Sequence, residues 1–147
     1  MKIGVKEVGK PVQYIEIEDI YRYDCAAKMI NNKIHITPQF VYLTPDCLLS
    51  LAVDEDGLAR ELPTNFLLSM PNSLWPIQKM VGTAVFIRTK PVIGLQEIWD
   101  YEIDDLTAED IQLINHILSD SYQKPLEEKF EDYGKGKMVC VPFNRPF

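Results

Sequence analysis

This chain lacks the spacings that usually announce a metal centre. There is no HExxH and no CxxC, and its two histidines, His35 and His116, stand 81 positions apart, so no metal site is expected. Its seven glycines never form GxGxxG or GxxxxGK, which excludes the usual phosphate-cradling loops. No GxSxG element or cysteine–histidine motif marks a nucleophile, so no catalytic residue and no cofactor is expected. The three cysteines, Cys25, Cys47 and Cys140, are odd in number and widely spaced. That excludes a disulfide framework and is the usage of a reducing compartment. No segment approaches the ~18 uninterrupted apolar residues of a membrane span. The opening Met1-Lys2-Ile3-Gly4-Val5-Lys6 alternates in polarity instead of forming the apolar core of a signal peptide. A cytoplasmic protein with no membrane partner is the expectation.

What is present describes an ordinary acidic globular protein. A chain of 147 residues suits one domain, able to remove roughly two thirds of its unfolded surface from water. The net charge of −7 is unevenly placed: residues 1–50 balance six bases against six acids, whereas residues 101–147 carry five against ten. Between Glu97 and Asp132 twelve acids face only Lys124 and Lys129, a surface that repels phosphate and disfavours direct nucleic-acid binding. Trp99, Tyr101 and Tyr122 interleave with those acids and suit a protein interface or a core equally.

The periodicity predicts an α+β fold: a single domain with a mixed, mostly antiparallel sheet and two main helices. Alternation in residues 1–6 and 12–17 around Gly9-Lys10-Pro11 predicts a hairpin. Ile20, Tyr23, Ala27 and Ile30 recur at helical spacing over residues 20–32. A strand is expected at Lys33–Thr37, ended by Pro38, and at least one central strand among Phe40–Leu43 and Cys47–Val53, joined by turn chemistry at Thr44-Pro45-Asp46. Asp54–Gly57 should reverse the chain. Asn65–Met70 is expected to make a helical turn, Trp75 to anchor a loop, and Gly82–Thr89 to form a strand covered on both faces. The clearest local signal is Leu106-Thr107-Ala108-Glu109-Asp110-Ile111. Thr107 can cap the amide of Asp110, and Ile111, Ile114 and Leu118 supply the buried stripe of a helix that fades near Ser121. A short second helix is expected within Pro125–Tyr133, then a Gly134-Lys135-Gly136 joint and an edge strand at Lys137–Val141.

Several of these pieces, taken in order, resemble a known family. They are Val8-Gly9-Lys10-Pro11 with Ile15-Glu16-Ile17, the strand leading to Asp54-Glu55-Asp56-Gly57, Leu62-Pro63-x-Asn65, Val81-Gly82-Thr83-Ala84-Val85-Phe86, and Leu106-Thr107-x-x-Asp110-Ile111. Together they resemble the family called domain of unknown function 3846 over roughly residues 1 to 118. The resemblance implies a small cytosolic protein of bacteria, their phages and mobile elements, with no established activity. The chain departs from the family pattern at Asn31-Asn32, where glycines are usual, at Phe66, where a basic residue often follows the asparagine, and beyond Ser121. Residues 1–121 therefore read as the core domain, and 122–147 as a C-terminal extension packed on or beside it.

Candidate ligand- or partner-binding residues are Leu62, Pro63, Asn65, Gly82 and Thr83 in the family-like core, and Glu109, Asp110, Glu127 and Glu128 at the acidic end. Each of the first five also has a structural reading, since an asparagine satisfies loop backbone and a glycine permits close approach. The leading expectation is a non-enzymatic binding protein of phage or mobile-element type, acting on a host protein or sequestering a small ligand. Its oligomeric state is open, with a homodimer as the candidate. The alternative is an anti-restriction or anti-defence inhibitor whose acidic surface imitates nucleic acid.

Overall fold

The nearly continuous apolar run Ala84–Thr89 becomes the central strand of the molecule, buried on both faces. The computed structural model describes residues 1–71, 73–92 and 100–134. In chain order its elements are β1 (Lys2–Lys6), β2 (Gln13–Glu16), α1 (Arg22–Ile30), β3 (Pro38–Tyr42), β4 (Leu49–Asp54), β5 (Thr64–Ser69), β6 (Ile77–Val81), β7 (Ala84–Thr89), β8 (Ile103–Asp104), α2 (Ala108–Ile117) and α3 (Asp120–Gly134). The main sheet runs β2-β1-β7-β4-β3, with β8 paired to β7 beyond the end of β1. A separate hairpin joins β5 and β6, and every described strand pair is antiparallel.

Alternation along β7 sends its side chains into two cores. Val85 and Ile87 join Ile3, Cys25, Ala26 and Ile103 beneath α1. Ala84 and Phe86 join Leu51, Phe66, Leu68, Ile114 and Ile117 beneath the hairpin and α2, where Phe66 stacks on Phe86 at 6.0 Å between centroids. A third layer follows: Leu67 and Ile77 pack against Leu126 of α3. Helices α2 and α3 are separated only by Leu118 and Ser119, so the helical mass consists of α1 on one face and the α2–α3 arm on the other. The fold is α+β, in one domain.

Several local expectations hold. The first hairpin forms with Ile3 opposite Ile15. Thr107 accepts from the Asp110 amide at 3.1 Å while Asp110 accepts from the Thr107 amide at 2.9 Å, a complete capping box. Asp54 turns the chain by accepting from the Asp56 amide at 2.9 Å and from Arg60 at 2.6 Å.

Others are corrected. Asn65–Met70 is no helical turn but lies largely in β5, because Phe66 and Leu68 face the main core while Leu67 faces α3. A strand covered on both faces reads as an unbroken apolar run and loses its alternation. Lys33–Thr37 is not a strand, and Pro38 begins β3 instead of ending one. A proline is tolerated there because β3 is the edge of the sheet. Helix α1 buries Arg22, Cys25 and Ala26, leaving Ile20 and Tyr23 exposed. Trp75 is 69% exposed and anchors nothing. Gly82 sits between β6 and β7 at φ +71°, not inside a strand. The second C-terminal helix starts five residues earlier than Pro125, at Asp120, so the boundary drawn after residue 121 falls inside α3. Lys135 to Val141, Glu97, Trp99 and Cys140 lie outside the described residues. Among the described residues no helix is long and apolar enough to cross a membrane.

Candidate functional site

The five core candidates come together, and they close a corner of the fold. Asn65 donates from Nδ2 to the carbonyls of Lys6 at 2.7 Å and Gly82 at 2.8 Å, and its Oδ1 accepts from the Lys6 ammonium at 2.9 Å. Both amide hydrogens are thereby used. The Gly82 amide donates to the Pro63 carbonyl at 2.9 Å, and Leu62 Cδ1 lies 2.8 Å from where a Cβ on Gly82 would stand. Thr83 is half-buried beside them. The cluster ties β1, β5 and the β6–β7 turn, and it presents no spare donor from Asn65 to a ligand.

The four acidic candidates separate. Asp110 is 2% exposed and binds Arg88 of β7 through both oxygens, at 2.6 Å to Nε and 2.8 Å to Nη2. Burial pushes its carboxyl upward, but the Arg88 guanidinium and the Thr107 cap outweigh that and the net shift is below the usual carboxylate value. The same pairing raises Arg88. Asp110 is therefore an internal tie between β7 and α2, not a surface carboxylate. Glu109, Glu127 and Glu128 are exposed. Glu127 lines a groove of about 490 Å³ together with Lys6, Asn65, Lys79, Asp120 and Glu131, where partial burial lowers the Lys6 ammonium.

A second groove, of about 500 Å³, contains none of the nine candidates. One wall is Val41 and Val53 of β3 and β4; the other is Ile77, Lys79 and Met80 of β6. At its mouth stand Leu58 and Trp75, 71% and 69% exposed, and Leu74 next to Trp75 is 95% exposed. Large side chains in such a state favour a covering partner. Phe130 of α3, with the Lys79 ammonium 4.8 Å from its ring centroid, lines both grooves.

The backbone of the hairpin explains why this wall is unusual. The Met70 amide donates to the Pro76 carbonyl, so in the alternating antiparallel ladder Gln78 and Met80 point their backbone groups at β5, and Ile77, Lys79 and Val81 point theirs away. The corresponding outer row of β5 is filled: Gln123 exchanges two bonds with Leu67, both at 2.9 Å, and Tyr122 accepts from the Ser69 amide at 3.0 Å. The outer row of β6 has no strand partner among the described residues.

Other reactive groups are held quiet or stand alone. Burial and the Asp19 carboxylate push the Cys25 thiol up to about 12. Cys47 is exposed at φ 59°. No group of three or more metal-ligating side chains converges among the described residues. Sequence reading missed the second groove because Leu58, Leu74 and Trp75 look like ordinary core residues; their only warning was a setting between turn-forming Asp54–Gly57 and the prolines at 71 and 76. Comparison with known proteins finds no matching family model, no matching curated protein and no matching solved structure.

Proposed function

We propose that this chain is a non-enzymatic binding protein that acts on another protein, taking an extended apolar segment of that partner into the groove between β3–β4 and β6. The observation that carries the reading is the pairing of exposed anchors with open backbone: Leu58 and Trp75 stand at the mouth of a groove whose β6 wall has an outer row with no strand partner among the described residues. A strand-like peptide uses both features, hydrogen-bonding to the row and placing alternate side chains among Val41, Val53 and Met80. A compact apolar ligand would use only the side chains. The resemblance to domain of unknown function 3846 adds a phage or mobile-element setting, in which the partner is a host protein.

The acidic-mimic alternative rests on Glu109, Glu127 and Glu128, with Asp110 withdrawn into the interior. The two readings separate in one experiment. Tagged protein recovered from its host should carry a partner that the Leu58→Ser/Trp75→Ala variant binds at least ~30-fold more weakly, since each buried anchor of this kind is worth about 2 kcal/mol. Neutralising Glu109, Glu127 and Glu128 to glutamine should leave that affinity unchanged. The opposite pattern replaces the groove reading with the acidic one.

A further inference from the structure

We infer that the outer edge of β3, which has no strand partner among the described residues, is a self-association surface, on which a second copy of this chain pairs antiparallel to extend the main sheet. Two backbone bonds fix which way the strand faces. The Leu43 amide donates to the Leu49 carbonyl at 2.8 Å and the Glu55 amide to the Thr37 carbonyl at 2.9 Å. Alternation between those limits directs Gln39 and Val41 at β4 and turns the backbone groups of Pro38, Phe40 and Tyr42 outward. The outward row therefore holds two N–H donors and three carbonyls. Pro38, which has no N–H, occupies a position where none is needed within the chain.

This edge differs from those of β5 and β2. The outer row of β5 is filled by Gln123 and Tyr122, and β2 carries Glu16 with Glu18 just beyond it. Strand β3 has no charged residue and no bulge, and Pro38 at its first position is the one feature of the strand that discourages pairing. On one face the buried Arg22 guanidinium lies 3.9 Å from the Phe40 ring centroid, 4.6 Å from that of Tyr101 and 5.9 Å from that of the exposed Tyr42. Tyrosine and arginine are the side chains enriched where proteins meet.

The occupant is a second copy because the row complements itself. A two-fold axis at Phe40 sets Phe40 against Phe40 of the other copy, exchanging two hydrogen bonds. Each Tyr42 amide then meets the other copy's Pro38 carbonyl, giving four bonds in all. The missing proline N–H falls opposite a Tyr42 carbonyl. A net charge of −7 opposes association, yet residues 36–45 contain no charged side chain, so this edge brings the copies together where repulsion is least. Strand β3 is also a wall of the Trp75 groove, and pairing would set two grooves along one sheet. The inference does not depend on what those grooves bind.

Analytical ultracentrifugation across the micromolar range tests it. The wild type should sediment as a particle of twice the 16.9 kDa chain mass. Tyr42→Pro should weaken the dimer at least about tenfold while leaving the thermal midpoint of the diluted monomer equal to that of Tyr42→Ala, which loses the same ring beside Arg22, because the lost N–H serves no bond within the chain. Tyr42→Lys, at an exposed side chain, must weaken it likewise and stands in if the proline variant does not fold. A wild type that remains monomeric, or a folded variant at Tyr42 that remains fully dimeric, overturns the inference.

Discussion

Replacing Asp110 with asparagine removes one charge from the tie between β7 and α2 and leaves Arg88 without its counter-ion. Asp110 is 2% exposed and its carboxylate accepts three bonds, two from Arg88 and one from the Thr107 amide, while its backbone amide donates to the Thr107 hydroxyl. Removing one member of a buried pair costs about 3–5 kcal/mol, because the surviving charge stays desolvated. The Arg88 side chain retains 16% exposure and can recover some hydration, which places the loss near the lower end, at about 3 kcal/mol. With a urea m-value of about 2 kcal/mol/M, the unfolding midpoint should fall by about 1.5 M at pH 7. The deficit should also depend on pH in one direction. The Asp110 carboxyl titrates below its unfolded value, so its stabilisation is complete above the unfolded pKa of about 3.9 and disappears as pH falls through the lower folded value. The difference between wild type and Asp110→Asn should be flat from pH 8 to pH 5 and narrow only below about pH 4. A loss under ~1 kcal/mol at pH 7, or a difference that narrows between pH 7 and pH 5, would refute the buried-tie account.

Two further substitutions probe the other internal ties. Gln123→Ala strips the partners from the Leu67 amide and carbonyl and from the Ile117 carbonyl, which should cost about 2–4 kcal/mol and open the β5 amides to hydrogen exchange before those of β7; uniform exchange in both strands would contradict the edge-cap role. Gly82→Ala forces a side chain onto φ +71° and against Leu62, for an expected loss of about 1–2 kcal/mol. In a double-mutant cycle with Leu62→Ala the close-contact part should be recovered and the backbone part should not, and full additivity of the two losses would show that no contact exists.

Which of these ties the sequence reveals depends on how local they are. The start of α2 is readable from Leu106 to Ile111, because both halves of the capping box lie within four residues. The burial of Asp110 is not readable there. It depends on Arg88, 22 positions earlier, arriving beside it on β7, and without that partner Asp110 looks like one more acid in an acidic segment. Asn65 is half-readable: its suitability for loop backbone follows from its chemistry, but the carbonyl it serves on Lys6 is 59 residues away. In β5 the two cores on either side erase the alternation that distinguishes strand from helix.

The groove was hidden for a different reason, and that reason bears on where function can be sought in such a chain. Phe86 and Trp75 are both large aromatic side chains, yet one is fully buried and the other 69% exposed. Exposure is decided by what fails to cover a residue, and a failure of coverage leaves no mark on neighbouring letters. Helix α3 makes the point physically: it runs along β5, filling that edge with Gln123 and Tyr122, and among the described residues reaches the groove through Phe130. Had the arm packed one strand further over, the outer row of β6 and the apolar wall beside it would have been interior. The residues that identify this fold are thus the ones its interior consumes, and those left to meet a partner are set by which strand the covering helix lies along.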